Sequence, residues 1–313
     1  MKPKKDRWSN ESPYERFFDF IAPKADRYKI LHEHIKMLKL NFLVAKVAGN
    51  LHFFIFPQGQ KLPRNKLGSL PFSGQSPVML VAHYDRVMDS HGANDNSIAV
   101  FHLLKTAVIL DRSGASHWII VFTDKEEVKS GEGIITQGSF TLAKKLKTWG
   151  LENSKIFIFD ACGVGDTFII SSTTDTILNG KRPDTLKTKQ LIRNLRNHAF
   201  IAARNMQLKK ILLAPTPFSD DVGFLRGGLT AQTITTIPTS EAVLYEAFLR
   251  NHPGFTGTLI AGSAKNSVER RSIPETWRSL NSSADCHTRL TPQYFDQVVG
   301  FAVELVHSGT LQL

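Results

Sequence analysis

The sequence predicts an α/β fold: a mostly parallel, mixed central sheet with helices on both faces. Three observations point there. Short continuous apolar runs rich in Val, Ile and Phe recur along the chain, as in strands buried on both faces. Helical stretches separate them, the alternation of a layered α/β sandwich. Hydrophobic residues make up 42% of the 313, enough for a sizeable core.

In chain order, residues 12–40 carry helical periodicity broken at Pro23, and "NLHFFIFPQG" reads as a strand ending in a turn. "VMLVAH", "HWIIVFTD" and "KIFIFDAC" are the buried strands. Between them, "SIAVFHLLKTAVILDR" and "SFTLAKKLKTWG" read as helices, the second stopped by a glycine. "TLKTKQLIRNLRNHAFIAARNMQ" is a long helix and "TAQTITTIP" another strand. The Ser-, Pro-, Gly- and Thr-rich span 238–285 contains one short helix, "SEAVLYEAFLR". The last helix starts after Thr291, an N-cap candidate followed by Pro292 at the first helical position. No composition shift splits the chain, so 1–313 is read as one domain. Residues 1–75 supply N-terminal helices and a first strand, and 76–313 the core.

Lys plus Arg number 39 against 28 for Asp plus Glu, a formal charge of +11. The cations are scattered, with no nucleic-acid motif and no interleaved aromatics, so a solvated basic surface is the reading and no nucleic-acid partner is expected. No apolar run is long enough to span a bilayer, so no membrane partner is expected either. The basic start "MKPKKDR" has no apolar stretch behind it, and only two cysteines occur, Cys162 and Cys286. A cytoplasmic address follows. The two cysteines are expected to be buried thiols rather than a disulfide. Oligomeric state is not readable.

Polar groups collect at the strand ends, where open α/β sheets bind ligands. "VMLVA" ends in His83 and Asp85, "WIIVFTDK" in Glu126 and Glu127, and "IFIF" in Asp160. Asp95, in "GANDNS", precedes a helix whose N-terminus tolerates an anion. His287 precedes the last helix and can fold back to the same edge. Each has a plainer reading alone: a structural histidine, a helix cap, a turn, two solvated charges. Together at one edge they do not. His, Asp and Glu mixed in this way suit a divalent ion, zinc above all. So many carboxylates repel unless cations neutralise them, and two ions sharing a carboxylate remove that cost.

The order "HYD", "GANDN", "KEE", "FDA", "CHT" resembles the zinc-dependent aminopeptidase family of the bacterial leucyl aminopeptidase type, metallopeptidase family twenty-eight. Glutaminyl cyclase and the transferrin receptor ectodomain are relatives. The resemblance runs from about residue 78 to the end and implies a zinc-exopeptidase fold of the phosphorylase/hydrolase-like kind. It implies two Zn2+, replaceable by Co2+ or Mn2+: His83 and Asp160 hold one, Glu127 and His287 the other, and Asp95 bridges them. It implies Glu126 as general base and Asp85 behind His83, accepting its far N–H and fixing the tautomer. The implied activity is release of single N-terminal residues from peptides with a free N-terminus, by a metal-bridging water that Glu126 deprotonates.

One departure stands out. In "PFSDDVGFLRGG", Asp221 takes the place of the family's histidine. Ser219 and Asp220 there are read as a helix cap. Phe255, Tyr245 and Trp277 are candidates for an apolar pocket wall, and 238–285 for a segment folded over the site. The main rival is a single-zinc glutaminyl-peptide cyclotransferase. "DNS" after the bridging aspartate, rather than Asp-Ser-Ala, favours the peptidases. An inactive receptor-like module is disfavoured by the full ligand set. A carboxypeptidase or deacylase needs a cation for the substrate carboxylate.

Overall fold

The apolar runs become strands because every residue of 78–83 and 118–123 is buried. In a computed structural model, which describes residues 12–59, 76–128, 132–178, 181–252, 255 and 271–310, they form one eight-stranded sheet. The strands are β1 (Asn41–Val47), β2 (Asn50–Phe56), β3 (Val78–His83), β4 (Trp118–Thr123), β5 (Lys155–Phe159), β6 (Thr167–Ser171), β7 (Ile211–Ala214) and β8 (Ala231–Ile237). Their spatial order is β1-β2-β4-β3-β5-β8-β6-β7. The centre, β4-β3-β5-β8, is parallel throughout, while β1, β2 and the β6–β8 pairing add antiparallel edges. The expected mixed sheet is what forms.

The helices are α1 (Phe17–Phe20), α2 (Arg27–Met37), α3 (Ile98–Arg112), α4 (Gly138–Thr148), α5 (Thr173–Ile177), α6 (Pro183–Asn205), α7 (Asp220–Arg226), α8 (Thr239–Asn251), α9 (Glu275–Arg278) and α10 (Phe295–Thr310). Strand side chains alternate between two cores. Leu80, Ala82, Ile120 and Phe157 join Phe101, Leu104 and Phe301 in a core with α1, α2, α3, α6 and α10. Met79, Val81, Val121 and Ile158 meet Leu142, Leu146 and Phe224 of α4 and α7 on the other face. Burying one such side chain is worth about 1.5–3 kcal/mol, so two filled faces hold the central strands, and the residues at their ends, in register.

Several expectations need correction. The N-terminal part holds two strands, not one: "NFLVAKV" pairs with "NLHFFIF" across Ala48-Gly49, both at positive φ (50° and 94°), the backbone of a two-residue hairpin turn. The strands Thr167–Ser171 and Ile211–Ala214 had no clear signal, being short and near the sheet edge. Thr291 takes the N-cap position and Pro292 the first position of a short 3-10 turn, Pro292–Tyr294, that runs into α10, but the Thr291 hydroxyl makes no capping bond and accepts instead from Gly165 N at 2.8 Å. Ser219 stands at the start of α7, but its hydroxyl makes no capping bond. Much of 1–75 and of 238–285 (residues 1–11, 60–75, 253–254 and 256–270) lies outside the described residues.

Candidate metal centre

His83 is the last residue of β3 and fully buried. Its neighbours in the sheet, β4 and β5, run parallel to it, so the chain leaving them (Asp124–Glu127 and Asp160) emerges beside it. His83 Nε2 lies 3.1 Å from Asp95 Oδ1 and 3.7 Å from Asp160 Oδ1, and Nδ1 lies 3.4 Å from Asp85 Oδ1. Ligand atoms of His83, Asp95 and Asp160 all lie within 4.8 Å of one another, as do those of His83, Glu126 and Glu127. Five of the residues expected at the centre are thus brought together around one imidazole.

His287 joins neither group. It opens a 3-10 turn, His287–Arg289, and its ring packs edge-on against Phe18 with centroids 5.1 Å apart. Its segment is nevertheless tied to the cluster. Asp285, two residues earlier and 2% exposed, accepts from Asn94 N at 2.8 Å and Asp95 N at 3.0 Å.

Asp95 sits on a kinked turn, Ala93–Ser97, entered at Gly92 with φ 58°. A Cβ on Gly92 would lie 2.6 Å from Asp95 O and 3.0 Å from Arg27 Nη2, so only glycine fits. The asparagines on either side are clamps. Asn96 donates to Phe159 O at 2.7 Å and accepts from Ala161 N at 3.2 Å, straddling Asp160; Asn94 accepts from Gly163 N at 2.8 Å. Asp85 does more than face His83. It accepts the backbone N–H of Glu126 at 3.2 Å and of Glu127 at 3.0 Å, aligning both acids.

Four residues support the cluster; three of them, Arg27, Gln137 and Asp285, have no role in the sequence reading, and Asp220 appears there only as part of a helix cap. Arg27 of α2 donates to Tyr84 O, Asp85 O and His91 O at 3.0 Å, to Gly92 O at 3.5 Å and to Ser97 Oγ at 2.7 Å. Asp285 holds the loop from the other side. Gln137 donates to Glu126, and Asp220 accepts from Thr123 Oγ1 at 2.6 Å. A buried Arg or Asp is uncommon and is paired when it occurs, but their distances in sequence hid the pairing. Only Asp285, beside His287, carried a local hint.

Burial dominates the electrostatics. It pushes Glu126 well above the usual carboxylate range, with Glu127, Asp220 and Asp160 adding to the effect. It lifts Glu127 to about 8, reinforced by Asp95 and Asp85, and raises Asp95 beside Asp160. Burial opposes ionisation of Asp85 too, but His83 and the two backbone N–H groups outweigh it and hold that carboxyl low. Against its own burial, His83 is driven well above its ordinary value by Asp160, Asp85 and Asp95. A divalent cation would take the place of that proton.

The donor set fits such an ion. His83 Nε2 faces carboxylates without a lined-up hydrogen bond, and Glu127 Oε1 is likewise buried and without a hydrogen-bond partner. Buried polar atoms are rarely left so. Two carboxylates about 4 Å apart repel by roughly 4 kcal/mol at an effective dielectric of 20, a cost that a cation reverses.

The cluster opens into a cavity of about 160 Å³ with Asp95, Glu126 and Asp160 in its wall. Phe218, Trp277, Leu280 and Asn281 line the other side. Of the three expected wall aromatics only Trp277 reaches it. Tyr245 and Phe255 are buried behind it, in the apolar cluster that Trp277 shares with Ile237, Tyr245 packing edge-on against Trp277. Cys162 and Cys286 are both free thiols; the first is buried, the second only partly so.

A model of peptidase family M28 matches residues 65–245, more than half the chain, taking in the proposed base and every proposed metal ligand except His287. Comparison with curated proteins finds no match. Among solved structures, a leucine aminopeptidase precursor from Bacteroides thetaiotaomicron superposes with TM-score 0.61 at 13% identity, covering 98% of each chain. A glutaminyl cyclase from Porphyromonas gingivalis gives 0.61 at 15%, covering 95% of this chain and 96% of that one. A zinc aminopeptidase from Bacillus subtilis gives 0.52 at 16% over 82% of this chain, which spans about half of that enzyme (49%). At these identities the superpositions show the fold. Among the described residues no helix is long and apolar enough to cross a membrane.

Proposed function

This chain belongs to peptidase family M28, and from that premise we propose that it is a di-zinc aminopeptidase. The observation that carries the reading is the gathering of His83, Asp95, Glu126, Glu127 and Asp160 at one sheet edge, with Glu126 in the wall of the cavity.

His83 and Asp160 would hold one zinc, Glu127 and His287 the other, with Asp95 shared. Zinc bound there supplies Lewis acidity and makes water a nucleophile near neutral pH. The chain's own groups do the rest. Glu126, raised by burial and by its acidic neighbours, is a stronger base than a solvated carboxylate. It accepts one proton from the attacking water as oxygen bonds to the scissile carbonyl carbon. It returns that proton to the leaving nitrogen as the C–N bond breaks. The surrounding carboxylates attract the α-ammonium of a peptide with a free N-terminus, and the apolar wall of Phe218 and Trp277 receives its side chain. The unpaired Cys162 and Cys286 support a reducing, cytoplasmic setting.

The test is to measure metal content and assay a broad panel of unblocked peptides before and after chelation. The expected result is close to two zinc ions per chain and chelator-sensitive release of N-terminal residues. Loaded protein that releases none sinks the proposal. One ion per chain with cyclisation of N-terminal glutamine would replace it by the cyclotransferase, and His287→Ala removing one ion of two would support His287 as a ligand.

A further inference from the structure

Gln137 lies eleven residues from Glu126, outside every motif described above, yet it is buried, at 4% exposure, and its amide reaches the proposed base directly. Gln137 Nε2 donates to Glu126 Oε1 at 3.0 Å and to the backbone Glu126 O at 3.2 Å. We propose that Gln137 is the positioning residue for the general base: it pins one carboxylate oxygen and the main chain of Glu126 and leaves the other oxygen for the reacting water.

The surroundings show why the amide cannot turn elsewhere. Gln137 immediately precedes α4, and the next residue, Gly138, donates its N–H to Lys125 O at 2.8 Å. A Cβ at Gly138 would collide with Asp124 O, so the start of α4 lies flush on the loop that carries Glu126. From the other side, α7 presses Gly223 against the amide. A Cβ there would strike Ser139 Oγ and come within 2.8 Å of Gln137 Oε1. Gln137 Oε1 is buried and makes no hydrogen bond, so the side chain is held for what its nitrogen does. Two N–H groups on one planar amide fix the base relative to its own backbone. A base so fixed meets the attacking water without reorganising.

The inference rests on Glu126 acting as the base, so its test has one arm that needs no turnover. In metal-loaded protein, a side-chain 1H–15N amide spectrum should show a Gln137 proton shifted downfield and slow to exchange. In Glu126→Ala that proton should move upfield and exchange faster; an unchanged signal overturns the contact. In the kinetic arm, Gln137→Met keeps length and volume but loses both donors. Expected are a fall in kcat of about 10- to 100-fold, KM within twofold, unchanged zinc content, and an acid limb of kcat/KM moved to higher pH, because a donor to the ionised carboxylate has been removed. Gln137→Glu should also be impaired at neutral pH and regain activity relative to wild type as pH falls, because a protonated carboxyl donates in the amide's place. Wild-type kcat and pH profile in Gln137→Met, with zinc retained, overturns the proposal. If wild-type protein cleaves no peptide, the aminopeptidase reading fails, and the amide spectrum still decides whether Gln137 holds Glu126.

Discussion

Asp221 is a carboxylate 2% exposed, with one oxygen lacking a hydrogen-bond partner. Burial raises it from an ordinary 3.8 to about 7, with Asp160 and Asp220 adding to the effect and Thr233 and the Val222 N–H opposing it. An acid raised in the folded state binds its proton more tightly there than when unfolded. The folded state is therefore penalised as pH climbs from about 4, fully so above 7. At about 1.4 kcal/mol per pKa unit the penalty tops out near 4 kcal/mol, some 2–3 of it accruing between pH 5 and 8. Asp221→Asn keeps the shape and an acceptor but never ionises. In chelator, urea unfolding at half-unit pH steps should find the variant more stable than wild type at pH 8. The gap should shrink steadily toward pH 5. Zinc should narrow it at pH 8, since nearby cations favour the ionised form. A gap that does not vary with pH, or a variant less stable at pH 8, would refute the claim that Asp221 is an uncompensated buried acid.

Other outcomes follow from the same geometry. Glu126→Gln should lower kcat by about 10²–10⁴-fold while zinc content, measured by atomic emission, stays at the wild-type level. Arg27→Met leaves the loop oxygens of Tyr84 and Asp85 without their donor, while His91 O keeps Arg86 and Gly92 O keeps Ser97. At about 1–3 kcal/mol for each acceptor left unsatisfied it should cost at least about 2 kcal/mol by urea unfolding and weaken zinc retention in a competitive chelator titration. Metal-free protein should lose stability as pH rises from about 4.5 to 8, because burial and Asp95 hold the Glu127 pKa up at about 8 and its ionisation there is unfavourable. Calorimetry should accordingly show zinc raising Tm by more at pH 8 than at pH 5.5.

Much of this protein was legible from local pattern. "VMLVAH", "HWIIVFTD" and "KIFIFDAC" are too apolar and too short for anything but strands buried on both faces, and their polar last residues mark a ligand edge before any coordinate is known. The hairpin over Asn41–Phe56 was only half visible, because Ala48 at positive φ is a turn residue without the usual Asn or Asp signature. Strands β6 and β7 were invisible because their short runs become strands only by pairing with β8 and with each other.

The kinds of side chain at the centre were set locally: a strand end can carry His83, and a glycine-entered turn can carry Asp95. Which atoms meet there, and what steadies them, was decided by tertiary packing. Arg27, Gln137, Asp220 and Asp285 come from four separate stretches and act only because the sheet, α2, α4, α7 and the 3-10 turn at His287 converge on one edge. Backbone periodicity is a short-range property that one segment encodes. A hydrogen bond between residues 190 positions apart, such as Asp95 N to Asp285, exists only once the two cores have closed around the strands.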